Sequence, residues 1–575
     1  MAHTEAFARL RRLAAMALWG ERRGLGDPAE VGAAWAAEVE AARARVSRRA
    51  LLQAGGAAAA LVAAGCPPIT DASSEGESDT SAAVLPRVVI LGGGLAGLHC
   101  AYRLKQSSVR ATVYEAGNRP GGRVLSITDK IPDGMVVELG GELIDSDHTT
   151  MVMLAEELDL TLEDRIAAAP PGQRALIYWA AGVEVAEATL LAQFMLVAPT
   201  IAILATSAAN DPKTFAELDA LPLDEWLDAN VPALTMPELH AVLGAAYRVE
   251  YGRELDEQST LNLLHLIETD PLEALALRGA GDRRYHVDGG NKRLIDALVA
   301  SLAADQIVVD RQLVAARDGH AGEYRLTFMS SVGAVEEVEA DHVIFALPFS
   351  TLRRCDLAGL GLSKEKRTLI EHLGYGTHTR ATGVFTAPVW RDGFNASGAT
   401  LTDLEHQESW DSAIAQGGQR GLLTALVGGD PGVKAELTGA ESWYSSKVVD
   451  GIEAIFPGVK AAYMVGSALR MHWPSAPFQR GSFTCYEPGQ WALHGRAGVR
   501  EGNLHFCGEH CSLDHLGRME GAAESGALVA HELLDDVAAA ASGPLRSIVA
   551  LKTATRPHPC YHGDRHAPDA WRRRG

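Results

Sequence analysis

Residues 87–115 constrain this chain more than any other stretch. Arg87-Val88-Val89-Ile90-Leu91 is a short β-branched run of the kind a parallel sheet buries on both faces. It runs into Gly92-Gly93-Gly94-Leu95-Ala96-Gly97. Leu98 to Lys105 then predicts a helix, and Ala111-Thr112-Val113-Tyr114 a second strand ending at Glu115. The unit is a βαβ fold with GxGxxG at its first turn and an acid after its second strand. Gly92 permits the tight turn, Gly94 lets a pyrophosphate approach the backbone, and Gly97 lets helix and strand pack closely. Leu95 and Ala96 lie within this turn and are candidate cofactor contacts, and the N-terminus of the helix that follows offers free N–H groups and a positive dipole end to phosphates. Glu115 is placed to accept hydrogen bonds from ribose hydroxyls. The reading is a dinucleotide-binding α/β domain; the alternative is a glycine-rich turn in an ordinary α/β sheet.

Composition narrows the partners. Against 52 Lys and Arg stand 73 Asp and Glu, a net charge of −21, which argues against a nucleic-acid binder. The chain shows no run of 18 or more strongly apolar residues, so a polytopic membrane protein is not expected. Seven cysteines without a CxxC pair exclude a disulfide scaffold and a zinc ribbon.

A second string follows the βαβ unit: Glu115-Ala116-Gly117-Asn118-Arg119-Pro120-Gly121-Gly122-Arg123-Val124. A third, Val137-Glu138-Leu139-Gly140-Gly141-Glu142-Leu143-Ile144-Asp145, comes soon after. Near the far end, Gly502 to His510 reads as a strand ending in a Gly508-Glu509 turn, and Glu520 to Gly526 opens a helix through Leu534. Together these resemble the flavin-containing amine oxidase family over roughly residues 87–534. The resemblance implies non-covalent FAD, since Ser482 stands where some relatives carry the attachment cysteine. It implies that Arg119 and Arg123 offset the pyrophosphate and hold nearby loops, with Gly121 and Gly122 passing close to the flavin end. It places Gly140, Gly141 and Glu142 under the isoalloxazine, Glu509 at the ribityl or phosphate region, and the 521–534 helix facing the flavin pyrimidine. It adds Leu313, Gly508, Gly517, Met519 and Ala522 to the cofactor shell.

The same resemblance implies the activity. Family members take hydride from the carbon bearing a neutral amine to flavin N5, oxygen reoxidises the flavin to give hydrogen peroxide, and the imine hydrolyses. No metal and no Ser/His/Asp triad is expected, and the partners are O2 and a small amine or amino acid. Phe483 matches one of two aromatic positions flanking the amine path. The other carries Arg518, a guanidinium that repels ammonium and suits a carboxylate. Glu142 favours a cationic substrate, so the two cues conflict; a third reading pairs Arg518 internally with Glu142 or another acid. Phe483, Arg518 and Glu142 are the candidate catalytic residues. A lysine near flavin N5, common in the family, finds no obvious place; the nearest is Lys364. Rival readings are another FAD oxidase or desaturase acting on a large apolar molecule, and a flavin-binding protein without catalysis.

The fold class expected is α/β: a discontinuous Rossmann-like FAD domain (87–150, 282–350, 495–540) with an inserted α+β substrate domain (151–281, 351–494). Met151–Leu160, Leu190–Ala205 and Met236–Val249 are apolar at helical spacing, and Phe194, Met195, Trp410 and Trp473 are weighed between channel and core. Residues 1–66 read as an amphipathic lead ending in a twin-arginine-like export signal, Ser47-Arg48-Arg49 followed by an uncharged Ala/Gly/Leu/Val stretch. Cys66 is a candidate lipid attachment point, residues 67–86 a linker, and 541–575 a disordered basic tail. The location expected is periplasmic or extracellular.

Overall fold

The computed structural model describes residues 5–39, 86–266, 281–320 and 322–540. The Arg48-Arg49 pair, Cys66, the linker up to residue 85 and the 541–575 tail lie outside the described residues.

Two sheets organise the chain. The first has five parallel strands in the order Leu504–Phe506, His342–Phe345, Val88–Leu91, Ala111–Tyr114, Ile307–Val308. Its strands read as continuous apolar runs because both faces are covered. Val88, Ile90 and Ile344 pack against helices Leu95–Gln106, Lys292–Ser301 and Met519–Ala540. Val89, Leu91, Val343 and Phe345 face the other way, where the meander Gln312–Asp318, Tyr324–Met329, Val335–Ala340 supplies Phe328. The period-2 alternation that a one-sided sheet would show is therefore absent from the sequence of these strands.

The second sheet has seven strands. Their order is Leu469–His472, Thr379–Phe385, Gly421–Val427, Glu408–Asp411, Thr400–Thr402, Ile177–Ala180, Val183–Val185. It is antiparallel except where Thr400–Thr402 runs parallel to Ile177–Ala180. Helices Glu187–Asn210 and Pro237–Tyr251 lie beside it. The site described below lies at the carboxyl ends of Val88–Leu91 and His342–Phe345 in the first sheet, closed by the 478–483 loop that follows strand Leu469–His472.

Two sequence expectations are corrected here. Residues 5–39 were expected to precede the fold as a lead. Instead, helix Glu5–Arg22 and a second helix at 28–39 form a hairpin built into the largest apolar core. The reason lies in its own periodicity. Leu10, Leu13, Ala14, Ala17 and Leu18 share one face, and that face meets Phe194, Val197 and Ile201 of helix Glu187–Asn210. Trp19 and Trp35 close the hairpin edge to face at 5.7 Å, and Arg9 pairs with Glu187 at 3.0 Å. The second correction concerns apolar runs. Among the described residues one helix, Glu187–Asn210, is long and apolar enough to cross a membrane by length and composition, with a mean hydropathy of 2.0. Its inner face is taken by the hairpin; Leu196 and Ile203 point outward.

Candidate active site

The glycine turn is stereochemically forced. Gly92 sits at φ +107°, and a Cβ there would meet the Ala346 carbonyl oxygen at 2.7 Å. A Cβ at Gly97 would run into the carbonyl oxygen of Gly92, so only glycine lets the helix abut the strand. Gly94, by contrast, faces open space. The helix beginning at Leu95 leaves its first N–H groups without intrahelical acceptors at this opening. Glu115 is fixed by the N–H groups of Gly93 and Gly117, which donate to its two oxygens at 2.8 and 2.7 Å. Burial pushes its carboxyl up and those two donors pull it back. The carboxylate keeps acceptor capacity for hydroxyls in the cavity.

The Gly121-Gly122 loop is tied from behind by Arg119, which donates to the carbonyls of Pro120, Gly122 and Val124 at 3.2, 3.1 and 3.4 Å. Arg123 reaches across the molecule. It donates to Ser482 O at 2.5 Å and pairs with Glu509 Oε1 at 2.9 Å. Glu509 Oε2 accepts from Thr484 Oγ1 and Gly517 N, both at 3.0 Å. Burial acts to raise the Glu509 carboxyl, but Arg123 and His510 outweigh it and the net displacement is downward. The Gly121-Gly122 loop and the C-terminal Gly-Glu corner are thus joined by one partly buried ion pair.

Between them lies a partly open cavity. Of the expected cofactor residues, Gly92, Gly94, Leu95, Ala96, Glu115, Ala116, Gly122, Arg123, Gly141, Gly508, Glu509, Gly517, Met519 and Ala522 line it, together with Phe483 and Arg518. Five expected residues do not. Gly97 faces the strand turn and Arg119 lies behind its loop. Gly140 packs under the Arg123 carbonyl, Glu142 is held in a buried ion pair, and Leu313 is a core residue beside Phe328. Gly121, read with Gly122 as passing close to the flavin end, lines it as well; sequence reading missed Val124, Ala346, Leu347, Pro348, Thr351, Phe478 and Gln479. Ala346 to Pro348 had a signal: they follow a buried parallel strand, and ligands sit at the carboxyl ends of such strands. Phe478 and Gln479 belong to a loop with none.

The cradle fits an extended dinucleotide. Its glycines are open where phosphates would pass, an acid waits at the ribose end, and a helix N-terminus faces each end of the groove. Among the described residues no cysteine lines it; Cys485 and Cys507 are core residues and Cys511 packs against the core. No lysine lines it either. Lys364 is exposed, and Lys366 donates to Ala497 O at 2.6 Å with its ammonium over the Phe506 ring.

Of the three readings of the charges near the substrate end, the internal-pairing one keeps Asp145 as the acid beside Arg518; Glu142 is not its partner. Glu142 pairs with Arg380 and accepts from Trp410 Nε1 at 3.0 Å, with Arg165 at 3.7 Å. Arg380 also donates to Gly140 O at 2.6 Å, and burial pushes its guanidinium down to about 10. Glu142 is therefore a neutralised partner and no free carboxylate. Arg518 lines the cavity only 8% exposed. Its nearest acid is Asp145, at 3.8 Å, beyond hydrogen-bond distance, and its Nε finds no hydrogen-bond partner. Burial lowers it to about 10, with Glu520 as the acid that opposes the shift. Asp145 itself accepts from Arg283 N at 2.7 Å and lies 3.2 Å from His148 Nε2; burial pushes its carboxyl up to about 6. Phe483 stacks on His378 at 4.6 Å, and burial keeps that imidazole neutral. Trp410 lies under the guanidinium groups of Arg283 and Arg380, whereas Trp473 and Phe194 are core and Met195 packs against it.

Comparison with known proteins agrees with this geometry. A family model described as flavin containing amine oxidoreductase matches residues 95–534. A putative L-amino-acid oxidase, YobN, of Bacillus subtilis is 24% identical over 470 residues, 78% of this chain and 94% of that one. The flavin-dependent L-tryptophan oxidase RebO of Lentzea aerocolonigenes is 26% identical over 76% of this chain and 96% of its own. Putrescine oxidase of Kocuria rosea is 25% identical over 78% and 95%. Among solved structures, cyclohexylamine oxidase from Brevibacterium oxydans superposes with a TM-score of 0.67 at 19% identity, covering 79% of this chain and 99% of that one. The fold is therefore that of a Rossmann-like FAD domain joined to a substrate domain.

Proposed function

Because the chain belongs to the flavin-containing amine oxidoreductases and takes FAD as its cofactor, we propose that it is an oxidase of α-amino acids, held non-covalently to its flavin. One observation carries the substrate class. Two cations line the cavity, Arg123 and Arg518. Arg123 is engaged by Glu509 and Ser482, whereas among the described residues Arg518 has one ion pair, to Asp145 at 3.8 Å and too long for a hydrogen bond, and its Nε has no hydrogen-bond partner. A buried guanidinium with open donors fits a carboxylate in two-pronged geometry. With Glu142 neutralised by Arg380, the cue for a cationic substrate disappears.

When bound, FAD supplies the hydride acceptor for the amine-bearing carbon and passes the electrons to O2, giving hydrogen peroxide. The chain's own groups orient and exclude. Arg518 holds the substrate carboxylate, and the flat face of Phe483 limits where the amine carbon can lie. The N-terminus of helix Met519–Ala540 places its dipole against charge that develops at the cavity floor. His378, neutral behind Phe483, fixes that ring without adding a charge that would repel ammonium. The names of YobN and RebO support the amino-acid reading; those of putrescine and cyclohexylamine oxidases support a plain amine.

Export by the twin-arginine route from Ser47-Arg48-Arg49 belongs to the same proposal, since a cofactor-loaded fold crosses intact by that route. The hairpin 5–39 precedes that segment, so processing near Cys66 would separate it covalently from the body it packs on. N-terminal sequencing of protein recovered outside the cytoplasm tests this.

The decisive experiment is peroxide release and anaerobic flavin bleaching by purified yellow protein, with L-amino acids set against their decarboxylated amines. Bleaching by amino acids and not by the amines supports the reading. Bleaching by amines alone replaces it with a plain amine oxidase, and bleaching by neither removes the amine chemistry altogether.

A further inference from the structure

At the other end of the FAD-domain sheet, away from the cavity, two histidines face each other. His342 opens strand His342–Phe345, and His505 is the middle of the neighbouring edge strand Leu504–Phe506. Ile344, which pairs in register with His505, points to the helix-covered face, and both histidines lie on that face with it. Both rings are buried, 9% and 0% exposed. His342 Nδ1 and His505 Nε2 are 3.4 Å apart.

That spacing discriminates between two chemistries. An ordinary N–H···N bond places its nitrogens at about 2.9–3.0 Å. Two imidazoles on one tetrahedral ion, each at about 2.0–2.1 Å, stand about 3.3–3.4 Å apart. The observed separation is long for the first and right for the second. Glu532 Oε2 lies 3.5 Å from His505 Nδ1, on the ring's far side. A carboxylate there keeps the proton on Nδ1 and turns the Nε2 lone pair toward His342, as behind many metal-ligating imidazoles. Asp536, one turn further along helix Met519–Ala540, brings a carboxylate oxygen within 4.8 Å of one ring nitrogen of each histidine. Asp536 is half-buried, which leaves a path from solvent, and its Oδ2 pairs with Arg500 at 2.5 Å. That pair is solvent-screened and is weak competition for a dication.

We propose that His342, His505 and Asp536 form a binding site for a divalent cation of the zinc class, with water as the fourth ligand. The ion would staple the edge strand to the closing helix, linking segments 163 residues apart in the chain at a distance from the flavin. Histidines scattered at such separations give no sequence motif. A metal site here departs from the sequence expectation of no metal.

The test uses the FAD-loaded full chain, stripped with a chelator and then dialysed against zinc. The proposal expects about one zinc per chain by elemental analysis, and a melting temperature raised by about 3 °C or more over the stripped protein. His342→Gln with His505→Gln abolishes both, while flavin content and amino-acid turnover per flavin stay unchanged. Asp536→Asn, on the half-buried ligand, weakens zinc retention at least tenfold and serves where the double variant does not fold. Wild-type protein that retains less than about a tenth of an equivalent overturns the site, as does the same zinc uptake and melting shift in the variants.

Discussion

Replacing Arg518 with methionine separates stability from function. The change keeps much of the side chain's length and packing and removes its charge and its fork. Burial pushes the guanidinium from the ordinary arginine range down to about 10, so the charged form costs the fold about 3 kcal/mol. As a base whose folded value is depressed, Arg518 exacts that cost at every pH below about 10, and it fades only as pH rises through that value. Asp145 at 3.8 Å compensates little. The Arg518→Met protein, loaded with FAD, should therefore melt at the wild-type temperature or above it, as buried ions replaced by apolar groups often do. Its chemistry should suffer. Charge-assisted hydrogen bonds contribute about 1.5–3 kcal/mol each, so losing a two-pronged grip on a carboxylate costs about 3–6 kcal/mol, roughly 10²- to 10⁴-fold in kcat/KM. The decarboxylated amine has no carboxylate to lose and should be turned over no worse. Peroxide release and anaerobic bleaching with each amino acid and its amine measure the difference. Equal losses on both substrates, or unchanged amino-acid turnover, would refute the carboxylate role. A large fall in melting temperature would show instead that the guanidinium is a structural cation.

Other perturbations bear on separate parts of the argument. Arg123→Ala leaves Glu509 buried without its partner, so about 3–5 kcal/mol of stability should go, and the protein should purify without its yellow absorbance. Gly97→Ala forces a Cβ into the Gly92 carbonyl and should yield no folded flavoprotein. Gly94→Ala, whose Cβ meets nothing, should fold by circular dichroism and bind FAD more weakly. Trp35→Ala should destabilise by about 3–5 kcal/mol in chemical unfolding, because Trp35 is fully buried in the hairpin; no change would mean the hairpin is a dispensable lead. Asp145, raised to about 6 by burial, loses its charge as pH falls through that value and then stops competing for Arg518. The ratio of the wild-type KM for an amino acid to that of Asp145→Asn should therefore fall toward one as pH drops through about 6. A wild-type profile unchanged in Asp145→Asn would count against the link.

Much of the cofactor cradle was legible because its causes are local. The βαβ unit was readable residue by residue, since a strand, a turn at positive φ and a helix N-terminus each leave their mark within about ten residues. The Gly508-Glu509 corner was legible for the same reason. Gly97 serves the close helix–strand packing read for it, whereas Arg119, Gly140 and Leu313, placed in the cofactor shell by the family resemblance, turn toward the protein instead. Direction within a loop depends on what packs behind it. The hairpin at 5–39 was legible as helix, but its apolar face gave no sign of which distant helix would cover it.

The charges show most clearly where sequence stops. That a glycine turn, an acid and a helix make a nucleotide cradle follows from backbone stereochemistry among contiguous residues, and the chain alone determines it. Whether Glu142 attracts an ammonium depends on Arg380, 238 residues away, and whether Arg123 is available depends on Glu509, 386 residues away. Only the folded arrangement decides such pairings, because a buried charge takes its meaning from whichever groups the fold brings within a few ångströms of it.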